Sequence, residues 1–351
     1  MDTYYLPASM SALVWEAACQ MNLRQQPLPE TKPDEVLIQV SHVGICGSEL
    51  SGYLGHNALR VPPLVMGHEF SGQIVAMGAQ VCERNPALQI GQAATVNPMI
   101  YCGTCEYCTQ GLNQLCTRRR LIGAHRPGAF ANYVSAPAWM VLPLPESVPL
   151  RDGALAEPVA CGVRIARHAG IVQNEVALIL GAGAIGLLTL QILLLHGAKQ
   201  VFIVDTELDR LAAAAALGGQ ALDPRNVDVV KTVRAAVGGL GATVSVDAVG
   251  KAVTREQCIS STRPGGRMIL SGLHEETSAI PVADVIRREI TLIGSFCYTP
   301  ADFQDAIGLL SQGQIRLDPW IVEAPLADGG QWFERLSSEN PGKIAKVLLV
   351  P

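Results

Sequence analysis

Charged residues are scarce in this sequence, at 16% of 351 residues, while hydrophobic residues make up 49%. A chain so poor in charge and so rich in apolar side chains can bury a large core, which excludes a disordered or polar-tract protein. Acidic residues (31) outnumber basic residues (26), and the net charge is −5. Since no long Lys/Arg run offsets this balance, the sequence argues against nucleic-acid binding.

The sequence also lacks internal repeats, low-complexity segments and a recognisable secretion signal. Met1–Tyr5 shows no basic region that leads into an apolar one, so we expect no signal peptide. The long apolar stretch 176–195 is interrupted by three glycines, so we expect no membrane span. Ten cysteines without a leader predict thiols and metal ligands rather than disulfides, in a cytoplasmic protein.

A length of 351 residues exceeds the roughly 100–200 of a single domain and predicts two domains. In the first third, short apolar runs such as Glu35–Val40 and Ser71–Met77 are separated by Gly and Pro. This texture predicts the short strands of a β-rich domain. Prolines punctuate residues 143–149, and the apolar spacing then becomes helical from Ala154 to His168.

Between residues 175 and 295, apolar strands alternate with helical segments, which predicts an α/β domain with a parallel sheet between helices. The expected strands are Val176–Leu180, Val201–Asp205, Thr243–Asp247, Arg267–Ser271 and Ile290–Gly294, and Leu208–Leu217 is expected to be a crossover helix. A further helix is expected at Pro300–Gln312. We expect the apolar terminal strand Ala345–Val350 to return to the first domain.

The pattern Gly181-Ala-Gly183-Ala-Ile-Gly186 follows one of these strands and opens a helical run. In that context it predicts a dinucleotide site, because Gly181 permits a tight turn and Gly183 lets the backbone approach a pyrophosphate. Gly186 would let the helix pack closely on the strand. Asp205, 19 residues later, is placed to bind the adenosine ribose hydroxyls.

Other predicted cofactor contacts come from Ala184 and Ile185, within the glycine pattern, and from Arg210. A 2′-phosphate beside Asp205 would be repelled, which favours NAD over NADP. Arg210 could neutralise such a phosphate, so the sequence leaves both cofactors open.

Four cysteines occur within fifteen residues, Cys102, Cys105, Cys108 and Cys116, spaced C-x2-C-x2-C-x7-C. Four thiolates close a tetrahedral shell around zinc and leave no position for substrate, so this set predicts a structural zinc site. The isolated cysteines Cys19, Cys82, Cys161 and Cys258 are expected to be small buried hydrophobic residues.

A second set of metal-binding residue types is dispersed along the chain: Cys46, the pair His68-Glu69, and Glu157. Sulfur, imidazole and carboxylate ligands with one exchangeable position are what a catalytic zinc requires. Each residue alone also has an ordinary structural explanation. Spacing by itself does not decide between a catalytic zinc site and such structural roles.

Taken together and in order, these motifs resemble the zinc-dependent medium-chain alcohol dehydrogenases, in particular their polyol dehydrogenase branch. The matching segments are Gly44–Ser48, Gly67–Gly72, the four-cysteine lobe, Glu157-Pro158, Gly181–Gly186, Asp205 and Pro341–Lys343. The resemblance implies a GroES-like catalytic domain at 1–158, with a zinc lobe at 97–118 and a returning part at 297–351. A Rossmann coenzyme domain is expected at 159–296.

The resemblance further implies two zinc ions per chain. Cys46, His68 and Glu69 would hold the catalytic zinc, with Glu157 as a direct or water-mediated ligand, and Ser48 would accept the substrate proton. The expected reaction is NAD-dependent oxidation of a secondary alcohol or polyol to a ketone. A dimer or tetramer is implied, with a subunit contact near 290–296. The alternatives are a catalytically inactive NAD-binding relative and a zinc-free quinone reductase.

Two positions depart from the family pattern. Ser51 stands where many alcohol dehydrogenases place a relay histidine, so the relay beyond Ser48 is open, with His56 as one candidate. Phe296-Cys297-Tyr298 replaces the Phe-Arg-Tyr of sorbitol dehydrogenases, which puts sorbitol itself in doubt. We expect the arginine run 118–120 to be solvated, with binding of a substrate phosphate as the alternative.

Overall fold

The computed structural model describes residues 6–338 and 344–351, so Met1–Tyr5 and the Pro341–Lys343 motif lie outside the described residues. The strands are β1 Ser9–Ala17, β2 Gln20–Pro27, β3 Glu35–Gly44, β4 Leu64–Val65, β5 Glu69–Met77, β6 Ala93–Val96, β7 Met99–Ile100, β8 Arg120–Leu121, β9 Tyr133–Pro137, β10 Val141–Pro143, β11 Val176–Leu180, β12 Gln200–Val204, β13 Gln220–Leu222, β14 Ala242–Asp247, β15 Thr262–Leu270, β16 Thr291–Gly294, β17 Ile321–Pro325 and β18 Lys346–Val350. The α-helices are α1 Gly47–Tyr53, α2 Val81–Arg84, α3 Glu106–Thr109, α4 Leu150–Gly153, α5 Ala156–Ala169, α6 Ala184–Leu195, α7 Leu208–Ala216, α8 Val229–Ala236, α9 Ala252–Ser261, α10 Val282–Arg287, α11 Pro300–Ser311 and α12 Gly329–Leu336.

Residues 6–143 and the C-terminal strands β17 and β18 form a β-rich body. Its main sheet has the order β10-β6-β5-β3-β18-β17, with β9 also paired to β3, and a second sheet has the order β2-β1-β4. Strand β18 runs antiparallel to β3 and parallel to β17. The predicted return of the terminal strand to the first domain is therefore confirmed.

The intervening segment forms a six-stranded sheet with the order β13-β12-β11-β14-β15-β16, and every neighbouring pair is parallel. Numbered from its own first strand, this is the order 3-2-1-4-5-6 of a dinucleotide-binding fold. Apolar clusters cover both faces of the sheet, because a parallel sheet is flanked by helices on each side. The predicted fold class, a GroES-like β-rich domain with a Rossmann domain, is confirmed.

The apolar stretch 176–195 divides into strand β11, a glycine turn and helix α6. Within the described residues, no helix is long and apolar enough to cross a membrane. Helix α5 runs unbroken across the predicted boundary at 158/159, and the domain boundaries stay predictions. Strand β13 and helices α8 to α10 were not expected from the sequence, because their apolar patterns are short and weak.

The prediction that the four isolated cysteines are buried is wrong for Cys19 and Cys82, which are exposed. Cys19 lies in the turn between β1 and β2 with a φ of 58°, and a turn of this kind faces solvent. Cys82 lies on the short surface helix α2. Cys258 is buried and Cys161 is half-buried.

Strand β18 offers a test of its role in the core. Leu348 is fully buried, whereas Val350 at the end of the same strand is 36% exposed. Truncation of a buried leucine costs about 2–5 kcal/mol through lost burial and the cavity left behind. We expect Leu348→Ala to lower the urea midpoint of unfolding strongly and Val350→Ala to change it little. Equal shifts in the two variants would contradict the packing described here.

Candidate active site

The dispersed metal-binding residue types come together in the fold. Donor atoms of Cys46, His68 and Glu69 all lie within 4.8 Å of one another. His68 and Glu69 are buried and Cys46 is half-buried. A thiolate, an imidazole and a carboxylate at this separation form a donor set suited to zinc, with room for a fourth ligand.

Two glycines make this arrangement possible. Gly67, just before His68, has a φ of +101°, and a Cβ at this position would lie 2.6 Å from the backbone nitrogen of Phe130. Gly44, at the end of β3, faces the Glu69 carboxylate so closely that a Cβ would collide with it. Neither position tolerates a side chain while the three donors keep their places.

Glu49 is the carboxylate that holds the donor set together, and it was not predicted from the sequence. Its Oε1 accepts a hydrogen bond from the backbone nitrogen of Gly67 (2.8 Å) and lies 2.7 Å from His68 Nδ1. Its Oε2 accepts a hydrogen bond from the backbone nitrogen of Cys46 (3.1 Å). The side chain is fully buried. Because Nδ1 of His68 is occupied by Glu49, Nε2 is left for a metal ion.

His68 and Glu49 shift each other's pKa. Burial raises the pKa of a carboxyl, but His68 and Arg60 together hold the pKa of Glu49 below its usual value. Burial likewise opposes protonation of His68, yet the negative charges of Glu49 and Cys46 raise its pKa well above the ordinary range. The site thus favours a charged carboxylate against the imidazole.

Lys346 is a second charged residue that the sequence analysis missed. It lies in the terminal strand β18, is 4% exposed, forms an ion pair with Glu69 and donates a 3.1 Å hydrogen bond to the carbonyl of Ile45. Burial opposes its charge, but Glu69 and Cys46 raise its pKa above the usual value. A lysine within an otherwise apolar strand is the signal that could have revealed it.

Glu157, near the N-terminus of α5, lies outside the set of three close donors, as judged over the described residues. Burial raises its pKa to about 7, with a further contribution from Glu69 and opposition from His68. Its charge acts on Tyr298, whose pKa burial also raises. Glu157 therefore interacts electrostatically with His68 and Glu69 of the donor set and with Tyr298.

Ser48 follows Cys46 on α1, and its hydroxyl lies 3.5 Å from the Cys46 sulfur. Arg60, which is 4% exposed, donates hydrogen bonds to the Ser48 carbonyl (3.1 Å) and to its Oγ (3.2 Å). His56, the relay candidate from the sequence, is exposed. The side chain that contacts Ser48 in this structure is thus an arginine that the sequence analysis did not single out.

The four clustered cysteines meet in a separate lobe, with all four sulfurs within 4.8 Å of one another. The Cys102–Cys108 and Cys105–Cys108 sulfur distances are 3.9 and 3.5 Å, near the roughly 3.8 Å that tetrahedral zinc–sulfur bonds impose. Backbone N–H groups of Thr104 and Cys105 donate to the Cys102 sulfur. These hydrogen bonds, that of Thr104 first, lower the pKa of the Cys102 thiol to about 5. These contacts favour the thiolate that a metal needs.

The predicted cofactor residues form a strand, turn and helix. Gly181 follows β11 with a φ of +103°, and a Cβ on Gly186 would overlap the Gly181 carbonyl. Helix α6 begins at Ala184, followed by Ile185, and a Cβ on Gly183 would meet no atom within 4 Å. Open space before the N-terminus of a twelve-residue helix suits a pyrophosphate.

Asp205 follows β12, and its carboxylate accepts hydrogen bonds from the backbone nitrogens of Ala182 (2.7 Å) and Glu207 (2.9 Å). A carboxylate has about four acceptor positions, so capacity remains for ribose hydroxyls. Arg210 lies on α7, and its Nη2 donates to the carbonyl of Ile344 at 3.1 Å. This guanidinium is thereby tied to the segment that leads into β18.

Comparison with known proteins gives matches along most of the chain. The sequence profile of the alcohol dehydrogenase GroES-like domain matches residues 32–146, and that of zinc-binding dehydrogenases matches residues 184–312. D-arabitol-phosphate dehydrogenase of Enterococcus avium is 33% identical over 93% of this chain and 93% of its own length.

Sorbitol dehydrogenase of Halalkalibacterium halodurans is 30% identical over 94% of this chain and 95% of its own length. Among solved structures, a dehydrogenase of Sinorhizobium meliloti crystallised with NADP has a TM-score of 0.91 and 30% identity, covering 98% of this chain and all of that one. The likeness thus extends over both halves of the fold.

The Glu49 contacts predict a measurable effect on metal affinity. We expect Glu49→Gln to weaken zinc binding at Cys46 and His68 by about 10- to 100-fold, because the partner that orients an imidazole ligand is weakened. Competition with a chromophoric chelator measures this affinity. Glu334→Gln, an exposed residue on α12, is the control; equal affinities in the two variants would contradict the orienting role.

Proposed function

Because the chain belongs to the zinc-binding alcohol dehydrogenase family with a GroES-like domain, we propose that it is an NAD-dependent, zinc-dependent dehydrogenase of a polyol or related secondary alcohol. The observation that carries this proposal is the meeting of Cys46, His68 and Glu69 beside the coenzyme fold. A catalytically inactive relative would have no need for an intact donor set with an open position.

The residues divide the work as follows. Cys46, His68 and Glu69 would hold the catalytic zinc, and Glu157, whose pKa responds to His68 and Glu69, would be a direct or water-mediated ligand. When bound, zinc supplies a Lewis acid that lowers the pKa of the substrate hydroxyl, and NAD supplies the hydride acceptor. Ser48 Oγ would accept the hydroxyl proton while its own hydroxyl proton passes to water. Arg60 fixes the Ser48 hydroxyl for that transfer through its 3.2 Å contact.

The cofactor half of the proposal rests on the glycine turn and Asp205. Gly181, Gly183 and Gly186 would admit the pyrophosphate, Ala184 and Ile185 would form its helical floor, and Asp205 would bind the adenosine ribose. We favour NAD over NADP because Asp205 carries negative charge where a 2′-phosphate would sit. Arg210 is engaged with Ile344, which supports this choice.

We propose a cytoplasmic location for the enzyme. All ten cysteines are free, which suits the reducing cytoplasm. The cysteine lobe would hold a second, structural zinc. Strand β16 is the last strand of its sheet, and an edge of this kind supports association of two or more copies of the chain.

The experiment that tests the proposed function is NADH formation with polyols, polyol phosphates and β-hydroxy amino acids. We expect turnover that a chelator abolishes and added zinc restores. Elemental analysis should give two zinc ions per chain and about one in either Cys46→Ser or Cys105→Ser, with activity lost in the first. Full NAD-dependent turnover by metal-free protein would overturn the proposal.

Cofactor choice can be tested at Asp205. Asp205→Asn keeps the size of the side chain and removes the charge that repels a 2′-phosphate. We expect the ratio of kcat/KM for NAD to that for NADP to fall about tenfold or more, measured with one substrate at fixed pH. Asp223→Asn, on the loop after β13, is the control. An unchanged ratio in Asp205→Asn would show that this carboxylate does not select the cofactor.

A further inference from the structure

The three consecutive arginines after the cysteine lobe have different environments. Arg118 donates a 2.8 Å hydrogen bond to Thr104 Oγ1, and Arg120 donates a 3.0 Å hydrogen bond to the His125 carbonyl. All three side chains are exposed, as the sequence predicted, and those of Arg118 and Arg120 are hydrogen-bonded within their own lobe. Arg119, between them, reaches across to the coenzyme domain.

The Arg119 guanidinium lies over the ring of Phe296, with its central carbon 5.3 Å from the ring centroid. Its Nη1 also donates a 3.3 Å hydrogen bond to the carbonyl of Cys116. Among the ion pairs of the described residues, none includes Arg119. An arginine stacked on an aromatic face is held in orientation while its other N–H groups can donate to a carboxylate or a phosphate.

The segment 296–298 connects Arg119 with the proposed metal site. Phe296 is 41% exposed beneath the guanidinium, whereas Tyr298 is 1% exposed beside Glu157. The Cα atoms of these two residues are at most roughly 7 Å apart, because only two peptide units join them. Burial raises the pKa of Cys297 between them, Glu157 and Cys46 raise it further, and the charge of Arg119 opposes this.

Three arginine side chains act on the ring of His125. His125 has its pKa lowered by burial and then by Arg120, Arg60 and Arg119, so the three guanidinium groups lie close enough to act on one imidazole. Arg60 touches Ser48, the proposed proton acceptor. Arg119 and the arginine that contacts Ser48 thus both act on the same imidazole, which supplies positive charge on the Arg119 side of Ser48.

From this geometry we propose that Arg119 binds the anionic end of the substrate, a phosphate ester or a carboxylate on a polyol chain. The inference rests on the proposed function and narrows its substrate class to anionic sugar alcohols and sugar acids. Arg119 acts as a specificity-determining residue. It holds the charged terminus of the substrate near Phe296, while a carbinol a few carbons away lies at the metal site.

The test compares one polyol in three forms: neutral, with a terminal phosphate, and with a terminal carboxylate. The zinc-loaded wild-type enzyme, Arg119→Gln and the matched neighbours Arg118→Gln and Arg120→Gln are assayed with NAD. We expect Arg119→Gln to raise KM for the preferred anionic form about 10- to 100-fold, because loss of a hydrogen bond to a charged group lowers binding affinity by about that factor. Its kcat and its KM for the neutral polyol should change little, and Arg119→Lys should restore part of the loss.

Direct binding gives a second readout that does not depend on turnover. Calorimetric titration of the polyol phosphate and of the sugar acid into wild type and Arg119→Gln, both saturated with NADH, should show a matching loss of affinity. Equal affinities, or an equal loss for neutral and anionic forms, would overturn the assignment of Arg119. Turnover of neutral polyols without preference for an anion would reject this inference alone, whereas absence of turnover with every alcohol would reject the proposed function.

Discussion

The active site depends on one buried carboxylate with three N–H partners. Glu49 lies against the nitrogens of Cys46, Gly67 and the His68 ring, and so it joins helix α1 to the turn before β5. These partners come from segments about twenty positions apart in the sequence. A carboxylate buried without such partners would be costly, so the fold keeps this group only because all its partners are in place.

The second organising feature is the path of the chain through two bodies and back. Strand β18 returns beside β3 and carries Lys346 to Glu69, while Arg210 on α7 holds the carbonyl of Ile344 just before that strand. The coenzyme domain and the metal-binding residues are thus connected through the same short segment. These two contacts help to fix the position of the coenzyme-binding fold relative to the metal-binding residues.

Much of the fold and part of the site could be predicted from the sequence. Glycine patterns, four closely spaced cysteines and alternating apolar runs are local signals, and each marks its element within a few residues. Glu49 and Arg60 gave no such signal, since their roles come from partners elsewhere in the sequence, His68 and Ser48. Lys346 gave one, a lysine within an apolar strand, but that signal does not name its partners Ile45 and Glu69. The exposure of Cys19 and Cys82 was missed for a similar reason, because a lone cysteine carries no pattern that reports its depth.

The position of Lys346 has a consequence for how the protein can be altered. It lies in the last strand, so shortening the polypeptide past Ala345 would remove both a piece of a sheet and the counter-cation of an interior acid. Loss of this strand would then leave the buried Glu69 carboxylate at the metal site without its positive partner. Strand β18 therefore contributes to the electrostatics of the metal site as well as to the sheet.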